Sequence, residues 1–155
     1  MNIFFYSIIF AIGVLFGSFY TLAVYRIPRK EDIIHTHSYC PNCNAKLGFF
    51  ELIPVLSYVF LRGKCKHCGK KIRVRYLILE LISGTAFVLF ALILHLDIYN
   101  LNIHSVITFA FFVLIATYII LTLAIYKEHK KVEKGVLIYG IVVTIMYMVY
   151  LYIFK

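Results

Sequence analysis

Cys40-Pro41-Asn42-Cys43 and Cys65-Lys66-His67-Cys68 form two C-x2-C pairs with 21 residues between them. Paired thiols at this spacing are the usual donors of a closed tetrahedral Zn²⁺ site, and the separation lies just beyond the range of common zinc ribbons. Four thiolates fill the coordination sphere and leave no position for a water nucleophile, so the metal expected here is structural. Disulfides are the other use of four cysteines, but they rarely persist in a reducing cytoplasm. His35, His37 and His67 are further candidates to replace a thiolate. His67 lies between two ligands and reads better as a solvent-facing or supporting residue.

Three charged residues form a second candidate site. Glu80 is the only acid well inside an apolar run, about one turn from its end, with Arg26 and Arg75 at the same level. An ionised carboxylate at mid-bilayer costs about 2.5–3.5 kcal/mol, so it should face protein or water and have a partner. The expectation is that Glu80 pairs with Arg26 and Arg75 in a site for a substrate or partner. A carboxylate reaching to the interface without a binding role is the plainer alternative.

The elements that must position these residues are membrane helices. The chain has 155 residues, 63% hydrophobic and 15% charged, with a mean hydropathy of +0.89. Soluble domains run near 45–50% apolar and about 25% charged, so a soluble globular protein is excluded. Four runs are long enough to span a bilayer: Ile3 to Tyr25, Tyr76 to Asp97, Ile103 to Tyr126 and Val136 to Phe154. The first has no Lys or Arg before it and no small-x-small cleavage site, so it is expected to remain as a helix rather than be removed as a signal peptide. The organisation expected is an all-α polytopic membrane protein: a first transmembrane helix over 1–25, a four-cysteine zinc lobe over 26–75, and three transmembrane helices over 76–155.

The net charge of +9 would suit nucleic acid, but its distribution follows membrane topology instead. Residues 26–75 hold 11 of the 16 Lys and Arg, Lys127 to Lys134 hold four, Lys155 is the last, and Ile98 to Asn102 hold none. By the positive-inside rule the lobe and the Lys127–Lys134 connection are cytoplasmic, with both termini across the membrane. No nucleic-acid partner is expected; membrane lipid is.

Gly13, Gly17 and Thr21, spaced by four with Ser18 beside them, form a small-residue face that lets another helix approach closely, with Gly84 as counterpart. Glycines scattered through a membrane helix are the alternative. Phe49 to Arg62 is apolar but too short to span and is interrupted by Glu51 and Pro54; Pro54 suits the first turn of a helix. The segment reads either as an interfacial element packing the lobe on the membrane or as the lobe's own core.

Several of these residues also carry a resemblance. Gly17-Ser18-Phe19, Tyr25-Arg26-Ile27-Pro28, Ser38 with the first cysteine pair, Glu51 to Tyr58, Arg62-Gly63-Lys64 with the second pair, Arg75-Tyr76 and Glu80-Leu81 follow one another in an order and spacing that resembles the amino-terminal half of the type IV prepilin peptidases of the A24 family. The resemblance implies an inner-membrane enzyme that removes the basic leader of prepilins or pseudopilins, then methylates the new amino terminus with S-adenosylmethionine. It also implies two aspartates at the cytoplasmic membrane edge, the first after an apolar helix and the second in Gly-x-Gly-Asp. This sequence has Tyr126 where the first would fall and no Gly-x-Gly-Asp; Asp32 and Asp97 are its only aspartates. Thr21 stands where the family usually has asparagine, and Leu77 where it has proline. The function expected is therefore a part in pilin or pseudopilin leader processing, with support of N-methylation as a further expectation, together with a separate catalytic half or a full-length peptidase, and no autonomous peptidase. A membrane-anchored zinc adaptor in pilus or secretion assembly, without enzyme activity, is the alternative.

Overall fold

The computed structural model describes residues 2–97, 99 and 101–154. Ile98 and Asn100 of the expected uncharged connection, and the terminal Lys155, lie outside the described residues. The helices are α1 (Asn2–Arg26), α2 (Leu56–Phe60), α3 (Arg75–Ile93), α4 (Ile103–His129) and α5 (Lys134–Ile153). Four of them, all but α2, are long and apolar enough to cross a membrane. Short 3₁₀ turns follow α1 at Ile27–Arg29 and precede α2 at Phe49–Glu51. Among the described residues there are no strands; isolated bridges join Tyr39 to Lys46 and Lys64 to Lys71.

The closest helix pair is α1 with α3, and glycine is the reason. A Cβ added to Gly17 would lie 2.6 Å from Glu80 Cα, and one on Gly13 would lie 2.8 Å from Gly84 Cα. The backbones meet at the small face read from the sequence, as packing in lipid requires. Two clusters extend this seam. Tyr20, Ala23 and Val24 of α1 pack with Leu121 and Ile125 of α4 and Val136 of α5 near the lobe. At the far end Ile9, Phe87, Ala91, Leu96 and Val113 form the other.

Helix ends are fixed by local chemistry. Helix α3 stops at Ile93, four residues before the expected end at Asp97, because His95 takes a left-handed conformation (φ 49°) and Leu96 N–H turns back to Ala91 O at 2.9 Å. Tyr6 donates to Leu96 O at 3.0 Å and holds this turn. Helix α4 begins at an Asn102 cap, whose side chain accepts from His104 N–H at 3.0 Å. It runs past the expected Tyr126 to His129, where Lys130 (φ 55°) ends it. That extra turn carries Glu128, which binds Arg73 at 3.2 Å and also Arg75. The start of α3 and the end of α4 therefore lie at one level, on the side of the lobe.

Candidate metal centre and adjoining cavity

Each cysteine pair sits at the tip of a minimal hairpin, and the two hairpins are built alike. In the first, Cys40 N–H donates to Ala45 O at 3.0 Å and Asn44 N–H to Cys40 O at 2.8 Å. In the second, Cys65 N–H donates to Lys70 O and Gly69 N–H to Cys65 O, both at 2.9 Å. The residue after each pair, Asn44 (φ 55°) or Gly69 (φ 69°), is left-handed, the conformation that asparagine and glycine adopt most readily. A shared Cys-x2-Cys-(Asn/Gly)-x-Lys pattern was the available sequence signal for this duplication.

The four sulfurs lie within 4.8 Å of one another and could hold a metal ion. Cys40 Sγ and Cys68 Sγ are 4.0 Å apart, close to the ~3.8 Å edge of a tetrahedron with metal–sulfur bonds of about 2.3 Å. Cys40 and Cys65 are buried while Cys43 and Cys68 are exposed. Lys70 N–H and the Asn42 amide, 3.4 Å from the sulfur, bring the Cys68 thiol down to about 6. The Ala45 N–H lowers Cys43, but burial and the neighbouring thiols hold it up to about 11. Four cysteine sulfurs at this spacing are a donor set that fits a tetrahedral cation. Lys70 Nζ also donates to Asn42 Oδ1 and ties the hairpins together. Among the described residues no histidine joins the cluster: His35 Nδ1 is 3.0 Å from Asp32, and His67 Nε2 is 3.5 Å from Glu51.

Beneath the cysteines a cavity of about 230 Å³ separates the lobe from the ends of α1 and α3. Ser18, Thr21 and Arg26 come from α1, Glu80 from α3, and Cys40 and Cys65 from the metal side. Arg26 and Glu80 thus share a wall, but they do not pair, and Arg75 is elsewhere. This corrects the expected Glu80–Arg26–Arg75 ion cluster. Arg26 is 3% exposed and donates to the carbonyls of Asp32 at 2.8 Å, Thr36 at 2.9 Å and His37 at 3.1 Å. The end of α1 therefore anchors the first loop of the lobe. Arg75 faces α4 and binds Glu128. Sequence reading missed Glu128, because only the continuation of α4 beyond Tyr126 brings it to that level.

Glu80 accepts from the backbone N–H of Val55 at 2.7 Å. Val55 has φ 61° and ψ −53°, and Leu56 N–H reaches Pro54 O at 2.6 Å, which makes a γ-turn of the rare, strained type. Positive φ is unfavourable for a β-branched residue, at roughly 1–3 kcal/mol, and persists only where the surroundings enforce it. The carboxylate supplies that enforcement. Pro54 accordingly lies before α2, at the corner of this turn, rather than in the first turn of the helix as expected.

A family model for the bacterial peptidase A24 N-terminal domain matches residues 11–94, and every residue lining the cavity falls within that match. The chain belongs to this family. Among curated relatives, a prepilin leader peptidase/N-methyltransferase of Bacillus subtilis is 46% identical over 81 residues, which cover 52% of this chain and 33% of the relative. The protein of that name from Vibrio cholerae is 41% identical over 85 residues, covering 49% and 34%. The one from Myxococcus xanthus is 39% identical over 79 residues, covering 51% and 24%. The chain thus spans between about a quarter and a third of the length of these relatives. No solved structure matches it. The match covers α1 from residue 11 onward, the lobe and α3, whereas α4 and α5 lie outside it.

Proposed function

We propose that this protein takes part in leader processing of type IV prepilins or pseudopilins as the lobe-bearing component, with the proteolytic aspartates supplied by a separate catalytic half. The observation that carries the reading is the cavity between the cysteine hairpins and the ends of α1 and α3, whose lining belongs throughout to the family match. The names of the relatives supply the substrate class. In this reading the lobe faces the cytoplasm, where the positive-inside rule puts its 11 basic residues, and the bound metal is a structural Zn²⁺. Glu80 and Arg26 act from the cavity wall on a basic leader or on the partner half, and Arg75 acts from the α4 side. S-adenosylmethionine enters only through the methyltransferase activity in the relatives' name, and no residue of this chain is assigned to it.

Proteolysis by an aspartate pair needs one carboxylate to activate water while the other donates a proton. Asp32 accepts from Ile34 N–H and His35 N–H within the lobe. Asp97 follows α3, whose 19 residues put about 28 Å between its ends. These two aspartates cannot form a pair, which also favours a second reading, a non-enzymatic zinc adaptor. Reconstitution in vesicles with a prepilin separates the readings. The chain alone should leave the leader intact, and adding a Gly-x-Gly-Asp catalytic half should give cleavage that depends on the chain. Cleavage by the chain alone would overturn the proposal, and a catalytic half indifferent to the chain would favour the adaptor.

A further inference from the structure

The segment between the two hairpins has an outer face that the processing function does not use. Phe49 and Phe50 are 77% and 81% exposed, Val59 and Phe60 are 60% and 79% exposed, and no residue of the 3₁₀ turn or of α2 is buried. Such a face on a small lobe needs an occupant, and the geometry of α3 fixes where the face lies. Helix α3 has only 19 residues, about 28 Å, against a hydrocarbon core of about 30 Å. It has no length to spare, so Arg75 sits at the headgroup edge on the lobe side. Glu80 follows five residues later, about 7 Å further in. The Glu80 side chain leans back toward the start of α3, and the Val55 N–H is bonded to its carboxylate at 2.7 Å, so the turn at Pro54–Val55 lies at the edge of the hydrocarbon.

We propose that residues 49–61 form a wedge inserted into the leaflet on the lobe side, with Phe49, Phe50, Val59 and Phe60 among the acyl chains. Backbone in hydrocarbon must satisfy its polar groups internally. The segment meets this in part: Glu51 N–H bonds Gly48 O, Leu52 N–H bonds Phe49 O, Ser57 N–H bonds Ile53 O and Val59 N–H bonds Val55 O, all between 2.9 and 3.1 Å, while the N–H groups of Phe49 and Phe50, at the start of the turn, are left for the headgroup region. The one acid of the segment, Glu51, turns to the lobe, where it accepts from Gly48 N–H at 2.8 Å and lies 3.5 Å from His67. Around the wedge, residues 26–75 carry 11 Lys and Arg against the three acids Glu31, Asp32 and Glu51, a balance that suits an anionic lipid surface. The inference rests on the spans and on the Glu80–Val55 bond, and it stands or falls independently of the pilin substrate.

The chain contains no tryptophan, so Phe50→Trp and Phe60→Trp each place one reporter on the wedge. Each variant would be reconstituted into vesicles of phosphatidylethanolamine and phosphatidylglycerol containing lipids brominated at shallow or deep acyl positions, with helical content checked against the parent. Both indoles should lose emission to the bromolipids, more to the shallow than to the deep label, and should resist aqueous iodide. Quenching by iodide without quenching by bromolipids would show a face in water. Protection from both quenchers would show a face covered by protein. Either result overturns the wedge.

Discussion

The Glu80 carboxylate and the Val55 N–H, 2.7 Å apart, join a membrane helix to the strained turn of the lobe. The bond does two things together: it satisfies a backbone donor next to apolar surroundings, and it gives an acid inside a span the partner that no arginine provides. Within this chain Glu80 thus fixes the segment between the cysteine pairs against α3.

Replacing Glu80 by Ala leaves the Val55 N–H without its acceptor, a loss of about 1–3 kcal/mol. Glu80→Gln keeps an oxygen in reach and should cost less. Thermal unfolding in detergent, followed by exposure of the lobe to protease, should rank parent, Gln and Ala in that order. An alanine variant as stable as the parent would show that the turn holds itself.

Gly17→Ala puts a methyl group 2.6 Å from Glu80 Cα, a backbone atom that cannot rotate away. Overpacking of this kind costs about 1–3 kcal/mol. The expected outcome is a lower melting temperature and less complete disulfide crosslinking between cysteines engineered across the α1–α3 seam. Gly69→Asn is the contrasting change: no atom lies within 4 Å of an added Cβ there, and asparagine already occupies the matching position 44. It should leave both readouts close to the parent.

One Zn²⁺ per chain is expected in protein purified in detergent, bound through Cys40, Cys43, Cys65 and Cys68. Structural zinc contributes on the order of 10 kcal/mol to the folding of small sites. Chelation should therefore open residues 30–74 to protease while the four membrane helices keep their circular dichroism. A metal-free lobe that resists protease equally well would refute the assignment.

Arg26→Lys keeps the charge but loses the planar fork that reaches three carbonyls. At least one of the Asp32, Thr36 and His37 carbonyls would be left unpaired, at about 1–3 kcal/mol. Proteolytic cleavage should rise between residues 30 and 38, with zinc content unchanged. Loss of zinc in this variant would mean that the first loop and the hairpins fold as one unit.

Much of this architecture was legible in the residues. Apolar runs of about 20 residues and the placement of Lys and Arg mark the spans, because lipid leaves a helix few alternatives. The cysteine spacing marks the metal cluster, and the glycine repeat marks the α1–α3 seam. What stayed hidden depended on tertiary reach. Glu80 looked destined for an arginine because charge pairing is the simplest rule for a buried acid, yet a backbone N–H from 25 residues away met the same need. Glu128 was hidden by a helix end that composition alone placed too early. The strain at Val55 has no sequence signature, since valine is a poor choice for positive φ and only the fold imposes it.

The two closures of the lobe are nested. Contact of Gly17 with Glu80 ties an outer ring of chain, and within it the cysteines tie an inner ring from residue 40 to residue 68. The entropy lost in joining two points grows with the chain left free between them, so once the outer ring is closed the inner one is easier to form, and the reverse holds. Metal binding by the four cysteines and the fit of two helices in lipid are therefore expected to be coupled: a methyl group on Gly17, inside the membrane, should be felt as weaker zinc affinity at the hairpins.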